Sequence, residues 1–327
     1  MSVSEFSLIE KYFSQQQYSR EDVLSGIGDD GAITHVPENM QLITTVDSLV
    51  EDCHFTSDTS PYDVGFKAVA VNLSDIAAMG GEPCWATLAL TLPQADTNWL
   101  SEFSKGLFTL LNKYKVQLIG GDTTRGPLTI TIQINGLVPE GKALSRHFAR
   151  PGDLIYVTGS LGDAGLGLLV TEGKRHLDQQ HADYVSEKFL HPVPRIEQGI
   201  ALRDIATAVI DVSDGLLSDL GHILDASQVG AKIVVDHLPL SDAVTHALET
   251  ETLETKNWDL ALSSGEDYEL CFTVPAARRS KLEEVMAQFT CPVTCIGEIQ
   301  VERELQCVLS TGEKVQPGRF GYDHFGS

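Results

Sequence analysis

The sequence predicts an α+β fold of two domains, each a mixture of strands and helices built around a sheet. Three observations predict it. The chain has 327 residues, enough for two cores at roughly 100–200 residues per domain. Its first half interleaves apolar–polar alternation with helical periodicity, and its second half repeats the mixture. Between the halves, Ala149, Arg150, Pro151 and Gly152 interrupt both patterns. The expected domains are therefore residues 1–149 and 150–327.

Apolar spacing places a first helix over residues 6–13. Gly26, Gly28 and Gly31 with Asp29 and Asp30 then break regular structure, and residues 42–49 read as a strand. Ser60, Pro61 and Asp63 form a helix start, with a capping hydroxyl, a proline at the first helical position and an acid in the first turn. That helix runs to Met79 and stops at Gly80 and Gly81. Ala86, Leu88, Leu90 and Leu92 alternate with polar or small neighbours over a strand at 85–93. Leu100, Phe103, Leu107, Leu110 and Leu111 mark a helix over 97–114, and Ile130, Ile132 and Ile134 a strand over 128–138. In the second half, strands are expected at 154–158, 208–212, 232–235 and 268–274. Helices are expected from Leu216 through Leu224, near His246, and over 278–289. Gly159, Gly162, Gly165 and Gly167 follow a strand, but their spacing is not that of a dinucleotide loop, and close helix–strand packing is the expected role.

Charge excludes some functions. Lys and Arg number 23 against 46 Asp and Glu, a net −23, and such a chain repels a nucleic-acid backbone. No stretch approaches the roughly 20 apolar residues that span a bilayer, and the first residues lack the apolar core of a secretory signal. Neither nucleic acid nor membrane is an expected partner. Six scattered cysteines fit reduced thiols in the cytoplasm better than a disulfide framework. Cys291 and Cys295 have no second Cys/His pair to complete a zinc site.

The main chemical signal is where the acids fall. Asp30 lies in a glycine loop, Asp47 at a strand end, Asp75 inside an apolar helix, and Asp122 after Gly120 and Gly121. Asp211 and Asp214 flank a strand-to-helix turn. An Asp among Val71, Leu73, Ile76 and Ala77 is costly to bury alone, and a hard cation such as Mg²⁺ satisfies several carboxylates at once. Each acid also has a plainer reading: an Asp beside Gly bonds its own turn, Asp29 faces water, and Asp75 pairs with Lys67. The P-loop pattern is absent, so Gly120 and Gly121 are the better candidates to approach phosphate. Arg125 and Arg146 are candidate phosphate clamps, with surface ion pairing as the alternative for Arg125. His54 either contacts a substrate phosphate or is simply packed. No nucleophile elbow is present.

Together these segments resemble the thiamine-monophosphate kinase family of the aminoimidazole ribonucleotide synthetase-related superfamily. The matching stretches are Gly26-Ile-Gly-Asp-Asp30, Thr44-Thr-Val-Asp47-Ser-Leu-Val, His54-Phe and Lys67 through Asp75 to Gly80. Leu118-Ile-Gly-Gly-Asp122-Thr-Thr-Arg-Gly-Pro127, Asp211-Val-Ser-Asp214-Gly-Leu, Ser264-Gly-Glu-Asp-Tyr-Glu-Leu270 and Gly321-Tyr-Asp-His-Phe325 continue the series. The resemblance implies transfer of the γ-phosphoryl of ATP to thiamine monophosphate, giving thiamine diphosphate. It also implies several Mg²⁺ ions, an α+β two-domain fold and a homodimer built through the N-terminal sheets. By the same resemblance Asp30, Thr45, Val46, Asp47, Asp75, Asp122, Asp211 and Asp214 hold or orient Mg²⁺. Gly121, Asp122, Arg146 and Ser213 meet ATP, and His54, Glu266 and Tyr322 line the thiamine monophosphate site. Val46 stands where the family often has a hydroxyl residue, so a ligand there is its backbone carbonyl.

Two other readings are set beside this one: a sibling ATP-dependent synthetase of the superfamily, and a non-catalytic acidic metal-binding or scaffold protein. The 264–270 stretch and the aromatic tail sit in the kinase pattern and argue against the sibling. The scaffold predicts acids spread over the surface.

Overall fold

The computed structural model describes residues 5–14, 16, 18–249 and 258–322. The chain forms two compact units, Met1–Ile76 with Gly81–Gly141, and Ala77–Gly80 with Lys142–Ser327. Residues ahead of the expected 149/150 boundary cluster with the second unit. There the Leu144 amide donates to the Met79 carbonyl at 3.1 Å and the Val209 amide to Ser145 at 2.9 Å.

In the first unit the order is α1 (Glu5–Tyr12), β1 (Val23–Ser25), β2 (Ile33–Thr34), β3 (Met40–Val50), α2 (Pro61–Ala78), β4 (Glu82–Leu92), α3 (Thr97–Lys113), β5 (Gln117–Arg125) and β6 (Thr129–Pro139). Ser60 caps α2, its hydroxyl accepting from the Asp63 amide at 3.2 Å, as its position predicts. Asp96 caps α3 through the Asn98 and Trp99 amides. Among the described residues, the main sheet has the order β3-β6-β4-β5. Its buried face carries Ile43, Leu49, Leu88, Leu90, Ile130, Ile132 and Ile134. Leu73 and Ile76 of α2, and Leu100, Phe103 and Leu107 of α3, are equally buried. The other face presents exposed Leu42, Thr44, Val46 and Ser48.

Gly120, Gly121 and Asp122 are the middle of β5, a strand that the apolar pattern did not show, and it pairs in parallel with β4, Leu88 opposite Gly121 and Ala89 opposite Asp122. Gly121 has φ +153°, and a Cβ on it would lie 1.9 Å from the Leu88 carbonyl oxygen. Only glycine lets the two backbones approach so closely.

The second unit contains β7 (Asp153–Thr158), α4 (Asp163–Thr171), α5 (Gln179–Leu190), α6 (Ile196–Ala201), β8 (Ala208–Asp211), α7 (Leu216–Ser227), β9 (Gly230–Val234), α8 (Asp242–Glu249), α9 (Asp259–Ser263), β10 (Leu270–Pro275), α10 (Arg279–Met286), β11 (Val293–Gln300) and β12 (Leu305–Val308). Its sheet order is β12-β9-β11-β7-β10-β8, and all neighbours are antiparallel except β12 and β9. Ile155, Val157, Ile210, Leu216, Leu220, Ile233 and Ile296 form its core. The glycines at 162–167 serve helix-on-helix rather than helix-on-strand packing. They start α4, and the Val185 carbonyl of α5 lies 2.1 Å from where a Cβ of Gly167 would be. Sequence patterns did not show α4, α5, α6, α9, β11 or β12. All six cysteines are free thiols, and among the described residues no helix is long and apolar enough to cross a membrane.

Candidate active site

In the first unit, alternation along β3 sorts its side chains. Thr45 and Asp47 pair with Ile134 and Ile132 across the ladder, so they share the buried, helix-covered face. Val46 points to the opposite face and is 58% exposed. Asp75 of α2 meets the first pair: the Thr45 hydroxyl donates to its Oδ2, and Asp47 lies beside it. Burial first, and the neighbouring Asp75 carboxylate second, push Asp47 up to about 7 from an ordinary 3.8. Two carboxylates sharing a desolvated site cannot both ionise cheaply without a cation. Thr45, Asp47 and Asp75 offer only hard oxygen donors, the set Mg²⁺ takes, so these residues fit the ion.

Asp30 and Asp122 face one cavity of about 440 Å³, lined also by Phe13, Gly28, Leu88, Gly120 and Gly121. The Asp29 carboxylate accepts from the Asp30 amide at 2.9 Å, a turn role that matches its plainer reading. Among the described residues, no three His, Cys, Asp or Glu side chains already converge at metal-binding spacing. The acids stand instead as a touching pair and as separate donors around the cavity. His54 follows β3 in a tight turn. Its Nδ1 accepts from the Val50 amide at 3.1 Å, which puts the ring proton on Nε2.

In the second unit, the turn between β8 and α7 gathers another set. The Glu266 amide donates to the Ser213 carbonyl at 2.8 Å, and the Tyr322 amide to the Asp214 carbonyl at 3.0 Å. These two bonds bring Ser213, Asp214, Glu266 and Tyr322 together from three parts of the chain. Asp211 ends β8 and is buried. Glu266 has φ +65°, a strained backbone of the kind concentrated at functional sites. The tail is docked rather than loose: the Ser263 hydroxyl donates to Arg319 at 2.6 Å and the Gly318 amide to Asp259 at 2.9 Å. Asp323, His324 and Phe325 of the expected motif lie outside the described residues.

The backbone of Arg146 lies at the other end of α7. Its carbonyl accepts from Ser227 at 3.2 Å, at the C-terminal end of α7, whereas Ser213 and Asp214 sit at the N-terminal end. The helix between them, 12 residues, is roughly 18 Å long. Sequence reasoning also missed Asp219, a buried acid in the first turn of α7 that accepts from the amides of Ser213, Asp214 and Gly215. Burial, then the Asp214 carboxylate, push it up to about 7 against the pull of those amides. Its signal was available: an acid among Leu216, Leu217, Leu220 and Ile223, the same pattern that drew attention to Asp75.

Comparison with known proteins shows the family. The family described as AIR synthase related protein, N-terminal domain, matches residues 28–138, and its C-terminal counterpart matches residues 150–310. The chain is 51% identical to thiamine-monophosphate kinase of Escherichia coli over 99% of both chains. Its fold matches a thiamine-monophosphate kinase structure from Stenotrophomonas maltophilia at TM-score 0.84 and 41% identity, covering 96% of this chain and 99% of that one. It also matches AaThiL complexed with AMPPCP and TMP at TM-score 0.74 and 30% identity, over 99% and 97% of the two chains. The chain therefore belongs to the AIR synthase related proteins and, within them, to the thiamine-monophosphate kinase family.

Proposed function

We propose that the protein transfers the γ-phosphoryl group of ATP directly to the phosphate of thiamine monophosphate, releasing ADP and thiamine diphosphate. The observation that carries this is the full-length 51% identity to a thiamine-monophosphate kinase, supported by the desolvated pair Asp47 and Asp75.

Joining two phosphates in a chain of net charge −23 concentrates like charge, and bound Mg²⁺ supplies the neutralisation and alignment that in-line transfer needs. Asp30, Thr45, Asp47, Asp75, Asp122, Asp211, Asp214 and the Val46 carbonyl are the proposed Mg²⁺ donors. The Thr45 hydroxyl orients Asp75 toward Asp47. Gly121 brings the β5 backbone to ATP beside Asp122, Arg146 clamps phosphate bidentately, and Ser213 contributes a hydroxyl. His54, Glu266 and Tyr322 hold thiamine monophosphate, the acid facing its cationic ring and the tyrosine offering an aromatic face. The attacking phosphate oxygen is already ionised at pH 7, so no general base is required. His54 accordingly positions, with its Nδ1 engaged by Val50.

The N-terminal unit is the ATP- and Mg²⁺-binding and dimerisation domain, pairing two copies through the open face of its sheet, and the protein works in the cytoplasm. Leu42→Glu on that face is expected to leave monomers by light scattering; a dimer unchanged in mass would place the interface elsewhere.

The defining assay measures ADP release at saturating Mg²⁺ with and without thiamine monophosphate. Release that depends on the acceptor, one ADP per thiamine diphosphate, is the expected result. A phosphorylated protein trapped from ATP alone would rule out direct transfer. Glu266→Ala is expected to raise KM for thiamine monophosphate about tenfold while KM for ATP changes little; the opposite split would move Glu266 out of the acceptor site.

A further inference from the structure

The turn that leads into α7 has all its backbone polar groups engaged, and one buried carboxylate engages half of them. The amides of Ser213, Asp214 and Gly215 all donate to Oδ2 of Asp219, at 3.0, 3.1 and 3.1 Å. The carbonyls of Ser213, Asp214 and Gly215 accept from the amides of Glu266, Tyr322 and Asp219 at 2.8, 3.0 and 3.0 Å. Asp219 itself is 2% exposed. Gly215, at φ +121°, provides no side-chain cap for α7. The cap comes instead from inside the helix, from an acid in its own first turn.

A helix N-terminus with free amides is a common seat for phosphate, because its N–H groups and dipole both favour an anion. Here a carboxylate of the chain takes the N-cap amide of Gly215 and the two turn amides ahead of it. We infer that Asp219 is a positioning residue that ties down the 213–215 turn by its amides, so that the turn meets the nucleotide with the Ser213 and Asp214 side chains and withholds these three amides from it. ATP phosphate then meets this turn through side chains rather than through its backbone amides. This inference rests on the proposed kinase reading for its functional consequence, but its structural half does not.

The two halves are separable by experiment. In wild-type protein without nucleotide, hydrogen exchange at the amides of 213–215 is expected to be slow, and an ATP analogue with Mg²⁺ should leave it unchanged. Amides that exchange freely until nucleotide binds would overturn the inference, because those amides would then belong to the ligand. Asp219→Asn, which keeps an acceptor oxygen but removes the charge, is expected to raise KM for ATP about tenfold with KM for thiamine monophosphate within twofold. Wild-type constants, or equal rises for both substrates, would overturn it. Asp219→Ala frees the three turn amides, and inorganic phosphate should bind the variant calorimetrically but not the wild type. No phosphate binding to a folded Asp219→Ala protein would also count against it. If wild-type protein shows slow exchange at 213–215 but makes no thiamine diphosphate, the kinase reading fails while the amide assignment stands.

Discussion

Asp75→Asn is expected to lower turnover on the order of 10³-fold, the rate equivalent of about 4 kcal/mol at 1.36 kcal/mol per tenfold, while leaving the protein folded. Asp75 accepts from Thr45 and faces Asp47 across a desolvated gap, so the substitution removes one carboxylate of a cation site and misorients another. The fold should gain rather than lose. Asp47 is raised from 3.8 to about 7, so between those values the folded chain holds a proton that the unfolded chain has released. The stability this gives is lost as pH rises through about 7. In metal-free wild-type protein, stability should therefore fall as pH rises from about 4 to 7, and added Mg²⁺ should restore it. Asp75→Asn removes the like charge and should lessen that slope, leaving the part that burial of Asp47 and Asp219 causes, with Tm at pH 7.5 without metal equal to or above wild type. Thermal unfolding across pH, with and without Mg²⁺, reads this directly. Full activity in the variant would remove Asp75 from the metal set, and a marked loss of metal-free Tm would mean that its role is structural.

Gly121→Ala should act oppositely, through packing. A Cβ at 121 would meet the Leu88 carbonyl oxygen at 1.9 Å and its carbonyl carbon at 2.7 Å, on a backbone at φ +153°. Neither atom can move without separating β4 from β5, the parallel pair that also carries Asp122 beside Ala89. Overpacking and backbone strain together are expected to cost about 3 kcal/mol or more. That should lower the urea midpoint clearly and abolish ATP turnover, because Asp122 would shift with the strand. A midpoint indistinguishable from wild type would show that β5 can slide to accept the methyl group. The contrast is diagnostic: one variant loses chemistry and keeps stability, the other loses both.

How far the site was legible follows from where each signal is stored. Ser60 and Pro61 announce α2, and apolar spacing announces α3, because capping and periodicity are local properties. Asp75 stood out because burial of an acid among Leu73, Ile76 and Ala77 is costly wherever the helix packs. Gly120 and Gly121 hid β5, since glycine disfavours strands by propensity and only the approach of β4 explains why it is needed there. The helices α4 to α6 were invisible for a related reason: short, glycine-rich or weakly periodic segments are held by their neighbours rather than by their own pattern. Asp219 was overlooked although its pattern matched that of Asp75. Its partners are backbone amides, and no sequence motif records where amides point.

By itself, then, the sequence determined the two-domain α+β class, the principal helices and the family, because periodicity, capping and an ordered series of motifs are written residue by residue. Tertiary structure alone decided that Asp47 and Asp75 touch, that Asp30 and Asp122 share a cavity, that Val46 faces away, and that Asp219 takes the amides of the turn ahead of α7. Those are facts of ladder register and close backbone approach. A one-residue shift along β3 would exchange Asp47 for Val46, and only the packed sheet forbids it.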